Sequence, residues 1–342
     1  MTSRRDFHKI AAAAAIATVA APAVVRAQTA FKWKMQSIWQ AGNIQQKIFE
    51  DFATYVARAS NNRLQIEPLP VGTVVGPNEC MDAVAAGVLD AMQGGSTYWT
   101  GKDAAFALIG DLPGGFDNPY QMQEWYEYGG GLALTRELYA KHGCHYVGPT
   151  WWGVESIPSK KLLRTLEDFK GVKMRVPQGM GQDIFRKLGA APVNLPGSEV
   201  YTALERGVID AADWSVISAN DDLGYHKIAK YPMYPGFHSM PACDNSVNLA
   251  KWAALPDDLK AIFEVCVRDH SRDMVQRLAV ADAKVISQAK EKGFEPISLS
   301  DADRRKFREV SMTVWDEYAK RSPMAKRINE SQVAFMKSIA LL

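Results

Sequence analysis

The sequence has 342 residues, with 40 Lys and Arg against 38 Asp and Glu, so its formal net charge is only +2. No basic cluster with interleaved aromatic residues occurs, which argues against nucleic-acid binding. The length beyond residue 27 predicts two lobes or one large α/β domain. The four cysteines, Cys80, Cys144, Cys243 and Cys266, show no CxxC or zinc spacing, and both a disulfide and buried free thiols remain open.

Residues 1–27 predict an export signal. Arg4 and Arg5 precede an apolar run over 10–25, and Val25-Arg26-Ala27 is a small-x-Ala cleavage pattern. The run is too short and alanine-rich for a membrane span. The adjacent arginines resemble a twin-arginine signal, although His8 stands where an apolar residue is usual, so the general secretory route stays open. No long apolar stretch follows, and we expect a soluble mature protein.

The first half of the chain predicts alternating strands and helices. Residues 31–39 alternate like a strand, and 43–60 carry apolar residues at helical spacing. A second strand over 63–69 precedes a helix, a glycine break and a short strand within 77–95. Residues 121–143 are predicted to be helical.

The second half continues this alternation and then becomes helical. The predicted elements are strand-like 144–159, a strand at 171–176, a helix at 181–190, an extended segment at 191–196, a helix and strand within 198–214, and helices from Pro256 onward. This order predicts parallel sheets in two α/β lobes, followed by a helical C-terminal part.

One pattern occurs twice. Residues 80–92 and 200–212 each contain an apolar helix, a glycine and then Val-x-Asp-Ala leading into a strand. A duplicated helix–glycine–strand corner is what two similar lobes would contain.

Catalytic motifs are mostly absent. There is no G-x-S-x-G elbow, phosphate-binding loop or H-E-x-x-H motif, and Gly129-Gly130-Gly131 lacks the strand–turn–helix setting of a dinucleotide loop. His142 and His145 do not share a face that would predict a metal site. The sequence therefore predicts a binding protein and not an enzyme. The alternative is a secreted α/β hydrolase or lyase that uses Glu155 and Asp213 as an acid–base pair.

Arg175 lies within the apolar strand of 171–176. A buried guanidinium is costly unless an anion meets it. The residues alone leave two partners open, an internal carboxylate or an anionic ligand.

Three segments carry a family resemblance: "DFKGVKMRVPQG" (168–179), "KLGAAPVNLPGSEVYTALERGVIDAADW" (187–214) and "AKYPMYPGFHS" (229–239). They resemble the extracytoplasmic solute-binding subunits of TRAP transporters, the DctP-like family 7. Residues 97–108 and 126–134 extend the resemblance, and look most like the branch that binds 2-oxo and 2-hydroxy monocarboxylates such as pyruvate or lactate.

The resemblance implies a two-lobed α/β periplasmic binding protein fold with the ligand cleft between the lobes. Lobe I would comprise 28–152 plus about 241–280. Lobe II would comprise 153–240 plus about 281–342, with the C-terminal helices.

The resemblance also implies site residues. Arg175 would bind the ligand carboxylate, and the aromatic pair Tyr98 and Trp99 would lie over the ligand. Asp213 and Trp214 would line the cleft.

A Na⁺ or Ca²⁺ ion bridging the ligand is also implied, with no covalent cofactor. Glu155 aligns roughly with a glutamine of the family's cation site and Ser239 with a glutamate, two departures that leave the net charge unchanged. The predicted metal ligands are Glu155, Asp213, Trp214 and Ser239. The further predicted ligand contacts are Glu155, Asn194, Phe237 and His238.

The sequence thus predicts a periplasmic protein that captures a small organic acid for a TRAP membrane permease, and we expect a monomer. A C4-dicarboxylate ligand is the main alternative. A sensor subunit that presents a ligand-loaded surface to a membrane kinase would share the fold.

Overall fold

The computed structural model describes residues 30–195 and 197–342. The predicted export signal, residues 1–27, lies outside the described residues.

Two β-sheets define two lobes. The first sheet contains β1 (Phe31–Ser37), β2 (Leu64–Leu69), β3 (Ala91–Gly94), β4 (Cys144–Trp151) and β8 (Ala242–Asn248). The second contains β5 (Lys173–Arg175), β6 (Ala191–Val193) and β7 (Ala211–Ala212). The strand orders are β2-β1-β3-β8-β4 and β6-β5-β7. The two-lobed α/β prediction is confirmed.

The second sheet is parallel as predicted, but the first is mixed. Strand β8 pairs antiparallel with both β3 and β4. The chain leaves the first lobe after β4, builds the second sheet and then returns. It re-enters the first sheet between β3 and β4, where β8 runs opposite to both neighbours.

Helices cover both sheets. They are α1 (Ile44–Ala59), α2 (Cys80–Ala85), α3 (Ala105–Gly110), α4 (Pro119–Tyr128), α5 (Gly131–Ala140), α6 (Met180–Lys187), α7 (Val200–Glu205), α8 (Ile217–Asp222), α9 (Leu249–Ala254), α10 (Asp257–Ser287), α11 (Ala289–Lys292), α12 (Asp301–Ala319) and α13 (Pro323–Ser338). The predicted helical C-terminal part is confirmed.

The predicted helix over 121–143 is two helices. Gly130 between them has φ 84°, a left-handed conformation that glycine adopts without strain. A Cβ on Gly131 would lie 2.8 Å from the Trp125 ring. The glycines therefore end α4 and let α5 begin directly against this buried tryptophan.

The duplicated corner is present in both lobes. In each, a six-residue helix ends, a glycine takes a left-handed conformation (Gly87 φ 76°, Gly207 φ 71°), and a strand begins four residues later. Asp90 and Asp210 then make matching contacts. The Lys34 N–H donates to Asp90 Oδ2 at 2.8 Å, and the Lys173 N–H donates to Asp210 Oδ2 at 3.0 Å.

Strand register makes Gln36 and Arg175 equivalent positions. Gln36 pairs with Met92 of β3, and Arg175 pairs with Ala212 of β7. The Gln36 amide is fully buried and donates to Val75 O at 2.8 Å within its own lobe. The first lobe therefore closes this position internally.

Helix α10 joins the lobes, and α13 packs on the first lobe. Helix α10 packs against β4 and α1 of the first lobe, and its Asp282 Oδ1 accepts from the Ser218 N–H of α8 at 2.9 Å. The sequence assigns α13 to the second lobe, whereas the structure packs it on α3 and α5 of the first. Gln332 Nε2 donates to Leu108 O at 2.8 Å.

All four cysteines are free thiols, three of them buried. None of the helices in residues 30–195 and 197–342 has both the length and the apolar composition needed to cross a membrane.

Asp244 is an ionisable residue inside the first lobe. It lies on β8 with 0% exposure, and neither carboxyl oxygen has a hydrogen-bond partner among the described residues. The hydroxyls of Tyr139, Tyr146 and Ser246 are also buried without partners there. Burial raises the pKa of Asp244 well above its ordinary value because the charged form loses its hydration.

We therefore predict that Asp244→Asn becomes increasingly favourable, relative to wild type, as pH rises. The folded wild type holds a proton that the unfolded chain releases above about pH 4, so its stability falls as pH rises above that value. Asparagine has nothing to ionise. Urea unfolding at pH 5 and pH 8 measures the difference, and the exposed Asp257→Asn is the control. A difference between Asp244→Asn and wild type that is the same at both pH values would contradict the prediction.

Candidate functional site

A cavity of about 380 Å³ lies between the lobes. It is lined where β3 ends in the first lobe and where β5 and β7 end in the second. Carboxyl ends of parallel strands are the usual ligand site of α/β sheets, because neighbouring chains diverge there. The predicted cleft residues that line it are Tyr98, Glu155, Arg175, Asp213, Trp214 and Ser239.

Arg175 is the last residue of β5 and is 9% exposed. Its Nη1 donates to Asp213 O at 2.8 Å and its Nε donates to Leu195 O at 3.2 Å. The guanidinium carbon lies 5.0 Å from the centre of the Trp214 ring. No carboxylate of residues 30–195 or 197–342 forms a salt bridge with Arg175. The guanidinium is thus held in place by neutral groups, without a salt bridge to any described residue.

A glycine allows the tryptophan to lie there. A Cβ on Gly197 would lie 2.0 Å from the Trp214 ring, so no larger residue fits without displacing the ring. The close approach of this backbone fixes the face that Trp214 presents to Arg175.

An acidic group lies beside the arginine. Glu155, Asp213 and His238 each offer a ligand atom, and these atoms lie within 4.8 Å of one another. His238 Nε2 is 2.8 Å from Asp213 Oδ1. The two carboxyl groups offer the oxygen ligands that a hard cation takes, and the imidazole of His238 orients Asp213.

The two carboxyl groups of this cluster have pKa values displaced in opposite directions. Burial, together with the charge of Asp213, raises the pKa of Glu155 well above its ordinary value. Burial alone would raise the pKa of Asp213, but His238 and Arg175 hold it below its ordinary value. Asp213 is therefore the ionised member at neutral pH.

The sequence analysis did not single out Asp111. It lines the cavity directly after α3, and its Oδ2 accepts from Ser239 Oγ at 2.8 Å. Burial raises the pKa of Asp111 to about 7, although bonds from Ser239 and the Met240 N–H lower it in part. The available signal was an isolated carboxylate that ends the apolar run of 104–110.

Ser215 and Gln45 were also missed, and they connect the lobes. Ser215 has φ 41°, which is rare for a residue with a side chain. Its N–H donates to Glu155 Oε1 at 2.9 Å, and its hydroxyl accepts from Gln45 Nε2 of α1 at 3.3 Å. The strained turn thus orients Glu155 and reaches the first lobe.

The remaining predicted contacts lie elsewhere. Trp99 is 1% exposed and packs edge-on against Phe106 and Tyr139 in the core, while its neighbour Tyr98 is 47% exposed in the cleft. Asn194 is exposed and is not among the lining residues. Phe237 packs against Phe307 at 4.8 Å between ring centres and lines a different cavity.

A family model for bacterial extracellular solute-binding proteins of family 7, DctP, matches residues 35–321. The chain belongs to this family. The family prediction from the sequence is therefore confirmed, and this is a family of solute-binding proteins.

Three relatives illustrate the likeness of this family 7 protein. A monocarboxylate 2-oxoacid-binding periplasmic protein of Nostoc sp. is 30% identical over 310 residues, which cover 90% of this chain and 85% of the relative. An apo open crystal structure of a TRAP periplasmic solute-binding protein from Rhodobacter sphaeroides is 38% identical with a TM-score of 0.80, and the match covers 91% of this chain and 99% of that one. A TRAP periplasmic solute-binding protein of Pseudoalteromonas atlantica, solved with bound sodium and pyruvate, is 26% identical with a TM-score of 0.77, covering 92% and 96%.

Proposed function

We propose that this family 7 protein captures a 2-oxo or 2-hydroxy monocarboxylate, such as pyruvate or lactate, and delivers it to the membrane subunits of a TRAP transporter. The observation that carries the proposal is Arg175, a buried guanidinium in an interlobe cleft with no carboxylate partner among the described residues. The names of the Nostoc and Pseudoalteromonas relatives support the ligand class.

Arg175 suits a carboxylate because paired N–H donors of a planar guanidinium match its two oxygens. Its protein bonds use the Nε hydrogen and one Nη1 hydrogen, which leaves both Nη2 hydrogens and the second Nη1 hydrogen for the ligand. Closure of the lobes would exclude water and strengthen the ion pair. The bonds to Leu195 O and Asp213 O orient the guanidinium before the ligand arrives, so little ordering is needed on binding.

A cation beside the ligand is the second part of the proposal. Glu155 and Asp213, with Trp214 and Ser239 of the same cavity, would hold a hard ion such as Na⁺ or Ca²⁺, which takes oxygen ligands. Such an ion would bring a positive charge next to the 2-oxygen of the ligand. The sodium and pyruvate of the Pseudoalteromonas structure support this arrangement.

The charges of the cleft favour a monocarboxylate over a C4-dicarboxylate. A second ligand carboxylate needs a second cationic partner. Arg175 is the only arginine or lysine among the described residues that line the cavity. His238, the other candidate, is already bonded to Asp213.

The alternative of a hydrolase or lyase has one observation in its favour. The pKa values of Glu155 and Asp213 are displaced in opposite directions, as in many acid–base pairs. We propose instead that the protein does no chemistry on its ligand, because Glu155 is bound by the Ser215 N–H and Ser239 Oγ. These bonds hold its carboxyl group as a structural element of the cleft.

Periplasmic location and a monomeric state complete the proposal. The signal pattern of residues 1–27 supports export.

Replacing Arg175 should abolish or severely weaken pyruvate binding while the fold persists. Losing one member of a buried charge pair costs about 2–5 kcal/mol, which corresponds to at least about 30-fold in affinity. Arg175→Lys keeps the charge but loses the paired N–H donors of the guanidinium. We therefore expect it to bind pyruvate poorly, as Arg175→Ala does. Calorimetric titration measures affinity and circular dichroism checks folding.

Arg186→Lys, on an exposed face of α6, is the matched control. Arg175→Lys binding within threefold of wild type would show that the arginine is structural.

Monocarboxylate binding should require a cation. We expect chelator-treated protein in sodium-free buffer to bind pyruvate or lactate weakly, and added Na⁺ or Ca²⁺ to restore affinity. Calorimetric titration with and without each ion measures this, with succinate and malate as competitors. Tight succinate or malate binding would overturn the monocarboxylate assignment, and ion-independent pyruvate binding would overturn the cation. The ligand recovered from the calorimeter cell after titration should be chemically unchanged, whereas an enzyme would have converted it to product.

The mature protein should be monomeric. Size-exclusion chromatography with light scattering at micromolar concentration measures its mass directly. A stable dimer would contradict the expectation.

A further inference from the structure

A second cavity, of about 650 Å³, lies behind the cleft, and we call it the rear cavity. Its walls come from residues 112–117 of the first lobe, from the segment Pro235–Met240 that precedes β8, and from the first turns of α12. Ser239 lines both cavities, so the segment 235–240 lies between the rear cavity and the cleft at that point.

Arginines without a carboxylate partner concentrate at these two cavities. Within residues 30–195 and 197–342, Arg58, Arg175, Arg206, Arg304, Arg305 and Arg321 form no salt bridge. Of these six, Arg175 lines the cleft, and Arg304 and Arg305 line the rear cavity. The remaining three line neither.

Arg304 is held in the same way as Arg175. Its Nη2 donates to Pro235 O at 3.2 Å, its Nη1 to Gly236 O at 3.4 Å and its Nε to Leu299 O at 3.4 Å. Nη2 also donates to Ser298 Oγ at 3.3 Å. All four acceptors are neutral, and all four bonds are long. The guanidinium is oriented by the backbone, but its charge is not compensated.

The other charged groups leave the rear cavity positive. Arg305 is exposed beside Arg304. Arg308, one turn further along α12, is paired with Asp117 and contributes no free charge. Asp301 is the other carboxylate on the cavity wall. The lining groups therefore sum to a positive charge, with two unpaired guanidinium groups on adjacent residues.

We propose that the rear cavity is a second anion site for a small oxyanion with more than one negative charge, either a phosphate or a polycarboxylate. Two guanidinium groups that line one cavity can donate to an oxyanion that offers several acceptor oxygens. Such an anion would contact α12 and the segment Pro235–Met240, which carries His238 and Ser239 into the cleft. The rear cavity does not involve Arg175, so this proposal does not depend on the monocarboxylate assignment.

The test separates the two sites with the Arg175→Ala variant, in which the cleft has lost its anion partner. Inorganic phosphate, succinate and citrate are titrated calorimetrically into this variant. We expect saturable one-to-one binding of phosphate or of a polycarboxylate, and which of them binds identifies the source of the oxyanion. Arg305→Gln, added to Arg175→Ala, should weaken binding at least about tenfold, the loss of one charge-assisted contact.

Lys306→Gln is the matched control, because Lys306 is exposed on the same helix, carries the same charge and does not line the cavity. It should change affinity less than about twofold, as expected for a screened surface charge. A second measurement uses wild-type protein saturated with pyruvate and cation, into which phosphate or citrate is titrated. Absence of saturable binding at about 10 mM in both experiments, or equal losses in Arg305→Gln and Lys306→Gln, would overturn the proposal.

Discussion

The structure depends on keeping one buried guanidinium, that of Arg175, free of any salt bridge to the described residues. Removing a guanidinium from water without an ionic partner is costly, and the second lobe offsets that cost with neutral groups. Two backbone carbonyls accept from Arg175, and the face of Trp214 lies against its guanidinium. These contacts hold the side chain without using its charge. Gly197 packs closely against Trp214 and supports the same arrangement. The local backbone thus positions one arginine at the cleft.

The acidic groups of the cleft limit that positive charge without cancelling it. Asp213 is ionised beside His238, whereas burial raises the pKa of Glu155 and that of Asp111. Three carboxyl groups therefore do not contribute three negative charges to the cleft. A monocarboxylate entering together with one Na⁺ would leave the net charge of the cleft unchanged. This balance explains how a protein can place several carboxyl groups around a site for an anion.

Much of this organisation follows from sequence, and the failures have physical causes. The strand of Arg175 and the duplicated corner depend on local patterns, which the sequence contains. The adjacent residues Tyr98 and Trp99 were expected to act together, but they lie on the short 3₁₀ turn Ser96–Trp99, which sends one ring to the cleft and the other to the core. The direction of β8 and the approach of Asp111 to Ser239 depend on how distant segments cross between lobes, and no local pattern encodes that.

The duplicated corner also shows how two similar lobes acquire different roles. Gln36 and Arg175 occupy equivalent strand positions beside equivalent helix–glycine–strand corners. Gln36 donates to Val75 O and Cys80 of its own lobe, so the first lobe is complete without a ligand. Arg175 uses only some of its N–H donors within the second lobe, and the others face the cleft. The first lobe therefore supplies cleft surface, and the second supplies the arginine. An anion between them stabilises their approach, because it pairs with a guanidinium that neither lobe pairs alone.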